Sequence, residues 1–172
     1  QTFTPIVHDA DQDTIAQLWD ELQPVFDEIA TTAPQRDAVG GIEKAPVEQL
    51  RDAGFTRLRV PVEYGGYGLS LPQAYEFFVA LAAADSNLAQ ALRAHWSFIE
   101  DVLSRTDEQA EFKHRWLTRL GSGVILGNAI TERANAHGDN ATRLRAENGQ
   151  WVLNGTKYYS TGTGYADWIM VA

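Results

Sequence analysis

Gly123-Val124-Ile125-Leu126-Gly127-Asn128-Ala129-Ile130-Thr131-Glu132 and, after a polar loop, Trp151-Val152-Leu153-Asn154-Gly155-Thr156-Lys157-Tyr158-Tyr159-Ser160-Thr161-Gly162-Thr163-Gly164-Tyr165-Ala166-Asp167-Trp168-Ile169-Met170-Val171 decide the fold of this chain. Val124-Ile125-Leu126 is a short apolar run bounded by glycines, as in a buried strand. Thr142, Leu144 and Ala146 alternate with Arg143, Arg145 and Glu147, and Asn148-Gly149 supplies the left-handed pair that a two-residue hairpin turn requires. The spacing then predicts a partner strand over 151–153, a second Asn-Gly turn at 154–155, a strand-like stretch over 156–160 and another apolar strand from Trp168 to Ala172. Both halves run into hydroxyls, amides and glycines, groups suited to holding a flat heterocycle by its edge.

Upstream of Gly123 the period is helical. Ile15, Leu18, Trp19, Leu22, Phe26 and Ile29 predict a first helix near 11–30, with Pro24 as a kink because it lacks a backbone donor. A short helix over 45–53 is expected to stop at Gly54. The prolines and glycines of 60–68 make an ordered loop. Ser70 with Gln73 has the pattern of a capping box before the apolar run 75–84. Leu88, Ala91, Leu92, His95, Trp96, Ile99 and Leu103 share one helical face. Thr106 and Gln109 repeat the capping pattern ahead of a helix ending by Gly121. The expected organisation is therefore α+β, with an all-α domain over 1–121 and the first part of a β-barrel domain over 122–172.

Composition excludes several functions. The chain has 172 residues, enough for a sizeable core, and 44% of them are hydrophobic. A net charge of −9, with only 14 dispersed Lys and Arg, argues against a nucleic-acid partner, since such affinity comes from neutralising many phosphates. With no cysteine there is no disulfide framework, thiolate nucleophile or zinc-thiolate site, which is compatible with the cytoplasm as the expected compartment. No membrane association is expected: no run reaches the roughly 18 apolar residues of a span, and the first residues lack the basic and apolar regions of a signal peptide. The missing initiator Met is read as a trimmed start. His137 with Asp139 lacks further ligands at metal-site spacing and is read as exposed loop.

Three groups of residues, in order and at matching spacing, carry a family resemblance: Pro61-Val62-Glu63-Tyr64-Gly65-Gly66-Tyr67-Gly68, then Ile130-Thr131-Glu132, then Leu153-Asn154-Gly155-Thr156-Lys157 with Ala166-Asp167-Trp168. With these the chain resembles the acyl-CoA dehydrogenase superfamily. The resemblance implies an N-terminal helical domain, a middle β-barrel and a C-terminal four-helix bundle, with flavin between the last two and tetramers formed through the bundle. This sequence would supply the first domain and part of the second, the bundle being missing. A 172-residue chain of this kind is expected to be inactive alone and to leave a strand edge unpaired at Ala172.

Departures from the dehydrogenase pattern redirect the chemistry. Arg133 stands where those enzymes have a proline after Thr-Glu, and Tyr159-Ser160-Thr161-Gly162 stands where they have Trp-Ile-Thr-Asn. Gly127-Asn128-Ala129, Tyr-Ser-Thr-Gly and Ala-Asp-Trp-Ile look more like the flavin-dependent monooxygenase branch that oxidises organosulfur compounds, which includes dibenzothiophene monooxygenases and sulfur-acquisition oxidoreductases. That branch implies reduced FMN delivered by a separate flavin reductase, dioxygen, a flavin C4a-peroxide and a small apolar or organosulfur substrate.

Such chemistry needs a dry pocket with fixed hydrogen-bond partners. The resemblance places the Thr161 hydroxyl at flavin N5. Asn128, Thr131, Ser160 and Thr161 are the cofactor-binding candidates, and His95, Asn128 and Ser160 the catalytic ones. On a regular strand Ser160 and Thr161 would face opposite sides. His95, alone on an apolar face, also reads as a hydrogen-bonded core histidine, and Arg133 as a phosphate or substrate partner or an exposed loop residue. Trp151, Tyr158, Tyr159 and Trp168 read as barrel core. Two rival functions stand: an FAD-dependent acyl-CoA dehydrogenase, and a non-catalytic module that binds no flavin.

Overall fold

The computed structural model describes residues 9–133 and 141–172, so the His137–Asp139 reading lies outside the described residues. Five α-helices precede four strands: α1 Gln12–Val39, α2 Ala45–Asp52, α3 Leu71–Ala84, α4 Ser86–Ser104 and α5 Ala110–Gly121, then β1 Leu126–Ala129, β2 Arg143–Glu147, β3 Gln150–Asn154 and β4 Trp168–Val171. Among the described residues no helix is long and apolar enough to cross a membrane.

Asp11 starts α1 by accepting from the Thr14 amide at 2.8 Å. The helix runs well past the expected residue 30, through both Pro24 and Pro34. Packing overrides the missing donors: Leu18, Leu22, Phe26 and Ile29 are buried, and the Trp19 ring stacks on Phe77 at 4.3 Å. Arg36 anchors the extension, donating to the Ile29 carbonyl at 2.8 Å and pairing with Asp85 at 2.8 Å. Asp85 in turn caps α4 by accepting from the amides of Asn87 and Leu88.

Ahead of α3, the Gln73 Oε1 accepts from the amides of Ser70 and Ala10, each at 3.0 Å, and the Gln73 amide donates to the Ala10 carbonyl at 2.9 Å. The expected capping residue thus also ties the start of the described chain to α3. Gln73→Ala is expected to destabilise the protein by about 1–2 kcal/mol, roughly the cost of losing a cap and a backbone tie, read from the urea midpoint at constant slope. The second capping pattern is not used: Gln109 donates its amide to the Thr106 carbonyl in a 3-10 turn over 107–109 ahead of α5.

The loop over 60–68 holds a 3-10 turn at Val62–Tyr64 and packs on the end of α5. A Cβ on Gly121 would lie 1.6 Å from the Tyr64 carbonyl oxygen, so only glycine permits this approach.

The strands differ from expectation in two places. β1 starts at Leu126 rather than Val124: the Val124 amide donates back to the Arg119 carbonyl of α5 and the Ile125 amide to the Asp167 carboxylate, so neither enters the ladder. The stretch 156–160 is not a strand; it makes one antiparallel bridge, Tyr159 to Thr131, and then enters a turn. β1 pairs in parallel with β4 in the register Leu126–Trp168 to Ala129–Val171. β2 and β3 form the expected hairpin, with Asn148 at φ 52° and Gly149 at φ 78°. Neither hairpin face is covered among the described residues: Leu144, Trp151 and Leu153 are exposed, as are Tyr158, Tyr159 and Trp168, which were expected in a core.

Candidate functional site

The site grows from the start of β1. Leu126 donates its amide to His95 Nδ1 at 3.3 Å, and Ile125 donates its amide to Asp167 Oδ2 at 2.8 Å. Asp167 also accepts from Arg51 of α2 at 3.1 Å, and its amide donates to the Ile125 carbonyl at 2.9 Å. His95, on α4, has no exposed surface and donates from Nε2 to the Thr56 carbonyl at 2.8 Å. Burial pushes its imidazole down to about 4, with Arg51 adding to the shift and the Thr56 carbonyl and Asp167 opposing it.

The turn over 161–165 lies against this strand. A Cβ on Gly127 would meet the Thr163 amide nitrogen at 2.8 Å, and one on Gly162, at φ 74°, would meet the Ala91 carbonyl oxygen of α4 at 2.4 Å. Two glycines therefore let three backbone segments touch. The Asn128 amide donates to the Thr161 carbonyl at 3.0 Å, and the Tyr158 amide to the Thr131 carbonyl at 2.8 Å.

Asn128, Thr131, Ser160 and Thr161, far apart in sequence, thus sit on adjoining backbone. Among the described residues no hydrogen bond is made by the side-chain carboxamide of Asn128 or by the hydroxyls of Thr131, Ser160 and Thr161. All four residues retain solvent access. Because Ser160 leads into a turn, the alternation of a regular strand does not separate it from Thr161. His95 stands apart from the row, with both ring nitrogens engaged inside the core.

The far end of the row is braced by Glu132, which the sequence reading passed over. Its carboxylate accepts from Lys157 Nζ at 2.8 Å, the Thr142 hydroxyl at 2.6 Å and the amides of Ala141 and Thr142 at 2.7 and 2.9 Å. These bonds, the lysine's first, hold the carboxyl well below the usual range. Its signal was present in the sequence: Glu132 and Lys157 are opposite charges within two of the quoted motifs. Arg133 donates to the Tyr158 hydroxyl at 3.0 Å with its guanidinium 4.5 Å from that ring, so it caps an exposed tyrosine. Beyond the turn, Tyr165 helps line a cavity of about 610 Å³ with Arg36, Ile42, Asp85 and Leu88. No cluster of three metal-ligating side chains occurs among the described residues.

This order of helices, loop and strands is that of a known family. Residues 9–124 match the family model described as "Acyl-CoA dehydrogenase, N-terminal domain". The chain belongs to the acyl-CoA dehydrogenase family. Within that family it is 35% identical over 144 residues to a dibenzothiophene monooxygenase of Rhodococcus erythropolis, covering 81% of this chain and 34% of the relative. It is 26% identical over 159 residues to the putative acyl-CoA dehydrogenase YdbM of Bacillus subtilis (strain 168), covering 90% of this chain and 42% of that protein. The crystal structure of FMN-bound TdsC from Paenibacillus sp. A11-2 superposes with a TM-score of 0.75 at 29% identity, covering 90% of this chain and 38% of that one. The chain spans about a third of the length of the dibenzothiophene monooxygenase it matches. Its helices and small sheets are the start of an acyl-CoA dehydrogenase fold.

Proposed function

We propose that this chain forms part of a reduced-FMN-dependent monooxygenase that acts with dioxygen on a small apolar or organosulfur substrate. The observation that carries the reading is the backbone junction made by the Asn128 to Thr161 bond of 3.0 Å and the Tyr158 to Thr131 bond of 2.8 Å, which brings together the backbone of four polar residues whose side chains make no intramolecular hydrogen bond. Donors and acceptors left free at a strand edge fit the edge of a flavin ring, whose heteroatoms need several fixed partners. The likeness to FMN-bound TdsC supports FMN as the flavin.

In this reading Thr161 and Asn128 hold the flavin's reactive edge, and Thr131 and Ser160 extend the contact. What FMN supplies when bound is the electron pair with which dioxygen is activated. The chain's own contribution is placement: Gly162 lets the turn that carries Thr161 close on the Ala91 carbonyl of α4, and Glu132 with Lys157 fixes the Thr131 end. Asn128 and Ser160, both with free hydrogen-bonding groups, orient substrate or oxygen beside the ring. The row is open to solvent in this chain, and water exclusion is a requirement of such chemistry, so the 172 residues alone are expected to give no turnover. The domain division at 121/122, a separate flavin reductase, a homo-oligomer and a cytoplasmic location belong to the same proposal.

The experiment compares the intact protein with Thr161→Ala and Asn128→Ala. Oxygenation of an organosulfur probe by reduced FMN and air is expected, and each variant is expected to lose about ten- to a hundredfold in kcat/KM, as for loss of a positioned hydrogen bond. Equal turnover in all three would remove the row from the site. The likeness to YdbM supports a second reading, an FAD-dependent acyl-CoA dehydrogenase. Anaerobic bleaching of bound FAD by an acyl-CoA, with no oxygenation, would select it.

A further inference from the structure

The position of the Asn128–Thr161 row depends on where β1 lies, and two side chains determine that. We propose that His95 is a positioning residue: with Asp167 it clamps the amides of Ile125 and Leu126 at the entry to β1, so fixing Asn128 and Thr161, and it exchanges no proton with flavin or substrate. The inference rests on the flavin reading above for its functional consequence and on geometry for the clamp itself.

Ile125 and Leu126 are adjacent, and successive residues of an extended chain point their amides to opposite sides. One amide goes to the Asp167 carboxylate at 2.8 Å and the other to His95 Nδ1 at 3.3 Å, so the strand is gripped from both flanks. Each grip is itself anchored in the helical layer, Asp167 through Arg51 of α2 at 3.1 Å and His95 through the Thr56 carbonyl at 2.8 Å. Two residues further on, the Asn128 amide meets the Thr161 carbonyl.

The tautomer follows from the partners. The Leu126 N–H is a donor, so Nδ1 accepts and the proton sits on Nε2, which donates to Thr56. Both nitrogens are then used, and the ring has no exposed surface through which to reach a substrate. The charged groups that act on it are Arg51 and Asp167, of opposite sign and already paired with each other. A general acid or base needs a nitrogen within reach of the reacting proton, and His95 offers none here.

The test uses the full protein and the variants His95→Phe and His95→Gln. Phenylalanine fills the space without a donor or acceptor; the glutamine carboxamide supplies one of each. His95→Phe is expected to weaken FMN binding about tenfold or more and to change the absorbance of bound FMN, while His95→Gln recovers both affinity and turnover to within about threefold. Nitrogen-15 NMR of the wild-type ring is expected to show the Nε2–H tautomer across the activity range. A His95→Gln protein that binds FMN normally yet loses about a hundredfold or more in kcat would make His95 an acid–base catalyst and overturn the proposal. A His95→Phe protein with a lower Tm but unaltered FMN affinity and spectrum would reduce it to a fold-stabilising residue, with the same effect. If the wild type binds no FMN, the flavin reading fails separately. The clamp is then decided by amide hydrogen exchange at Leu126 and Asn128, expected to accelerate in the Phe variant and recover in the Gln variant; unchanged exchange overturns it.

Discussion

Gly162→Ala is expected to cost about 3 kcal/mol of stability and to abolish FMN binding. Two effects add. At φ 74° an alanine pays about 1–2 kcal/mol for the left-handed backbone. Its Cβ would also lie 2.4 Å from the Ala91 carbonyl oxygen, an overlap relieved only by moving the turn off α4, at about 1–3 kcal/mol. Such movement carries Thr161, the preceding residue, away from Asn128. Gly149→Ala is the control: at φ 78° it carries the same backbone strain but has nothing within 4 Å, so a loss of about 1–2 kcal/mol and intact FMN binding are expected. Urea unfolding and FMN fluorescence titration of both variants in the intact protein provide the readout. Equal losses at the two positions would mean that the Gly162 approach to α4 does not hold the turn.

The second large effect is acid destabilisation in two stages. His95 titrates near 6.5 when unfolded and at about 4 when folded, so between those values the unfolded chain binds the extra proton. The stability conferred by keeping this ring neutral is complete above pH 6.5 and is lost as pH falls to 4. At roughly 1.4 kcal/mol per pH unit the total is about 3 kcal/mol. Glu132 acts lower on the scale. Its folded-state value is depressed, so its contribution is complete above the ordinary carboxylate range and disappears as pH falls below that range. Urea midpoints followed by tryptophan fluorescence from about pH 7.5 down to about 2 are expected to fall in wild type, first with His95 and then with Glu132. In His95→Gln the pH 6.5–4 portion is expected to flatten by about 3 kcal/mol. An equally steep decline in that variant would assign the loss to other groups.

The helices were legible because their signals are local. Gly54, the Ser70–Gln73 capping pair and the apolar face of α4 each act within a turn or two of chain, and α2 to α5 follow the spacing closely. The C-terminal third of α1 was not legible, because it depends on Arg36 reaching Asp85 across the fold, which no window around Pro24 or Pro34 contains. Alternation also misread 156–160: Lys157 turns to the Glu132 carboxylate, and Gly162 draws the following residues into a turn. At the site, residue types and motif order pointed to Asn128, Thr131, Ser160 and Thr161, but their adjacency comes from backbone bonds between segments. His95 shows the same boundary. Its place on a helical face could be counted from the sequence, whereas the carbonyl and amide that occupy its two nitrogens come from loops and strands elsewhere.

A crystal structure of the intact protein with FMN tests the central claim most directly. The account predicts the isoalloxazine edge within hydrogen-bond distance of Thr161 and Asn128, with His95 still bound to Thr56 and Leu126 beneath the strand. A flavin ring bound elsewhere, with the Asn128–Thr161 row facing solvent or protein, would contradict it.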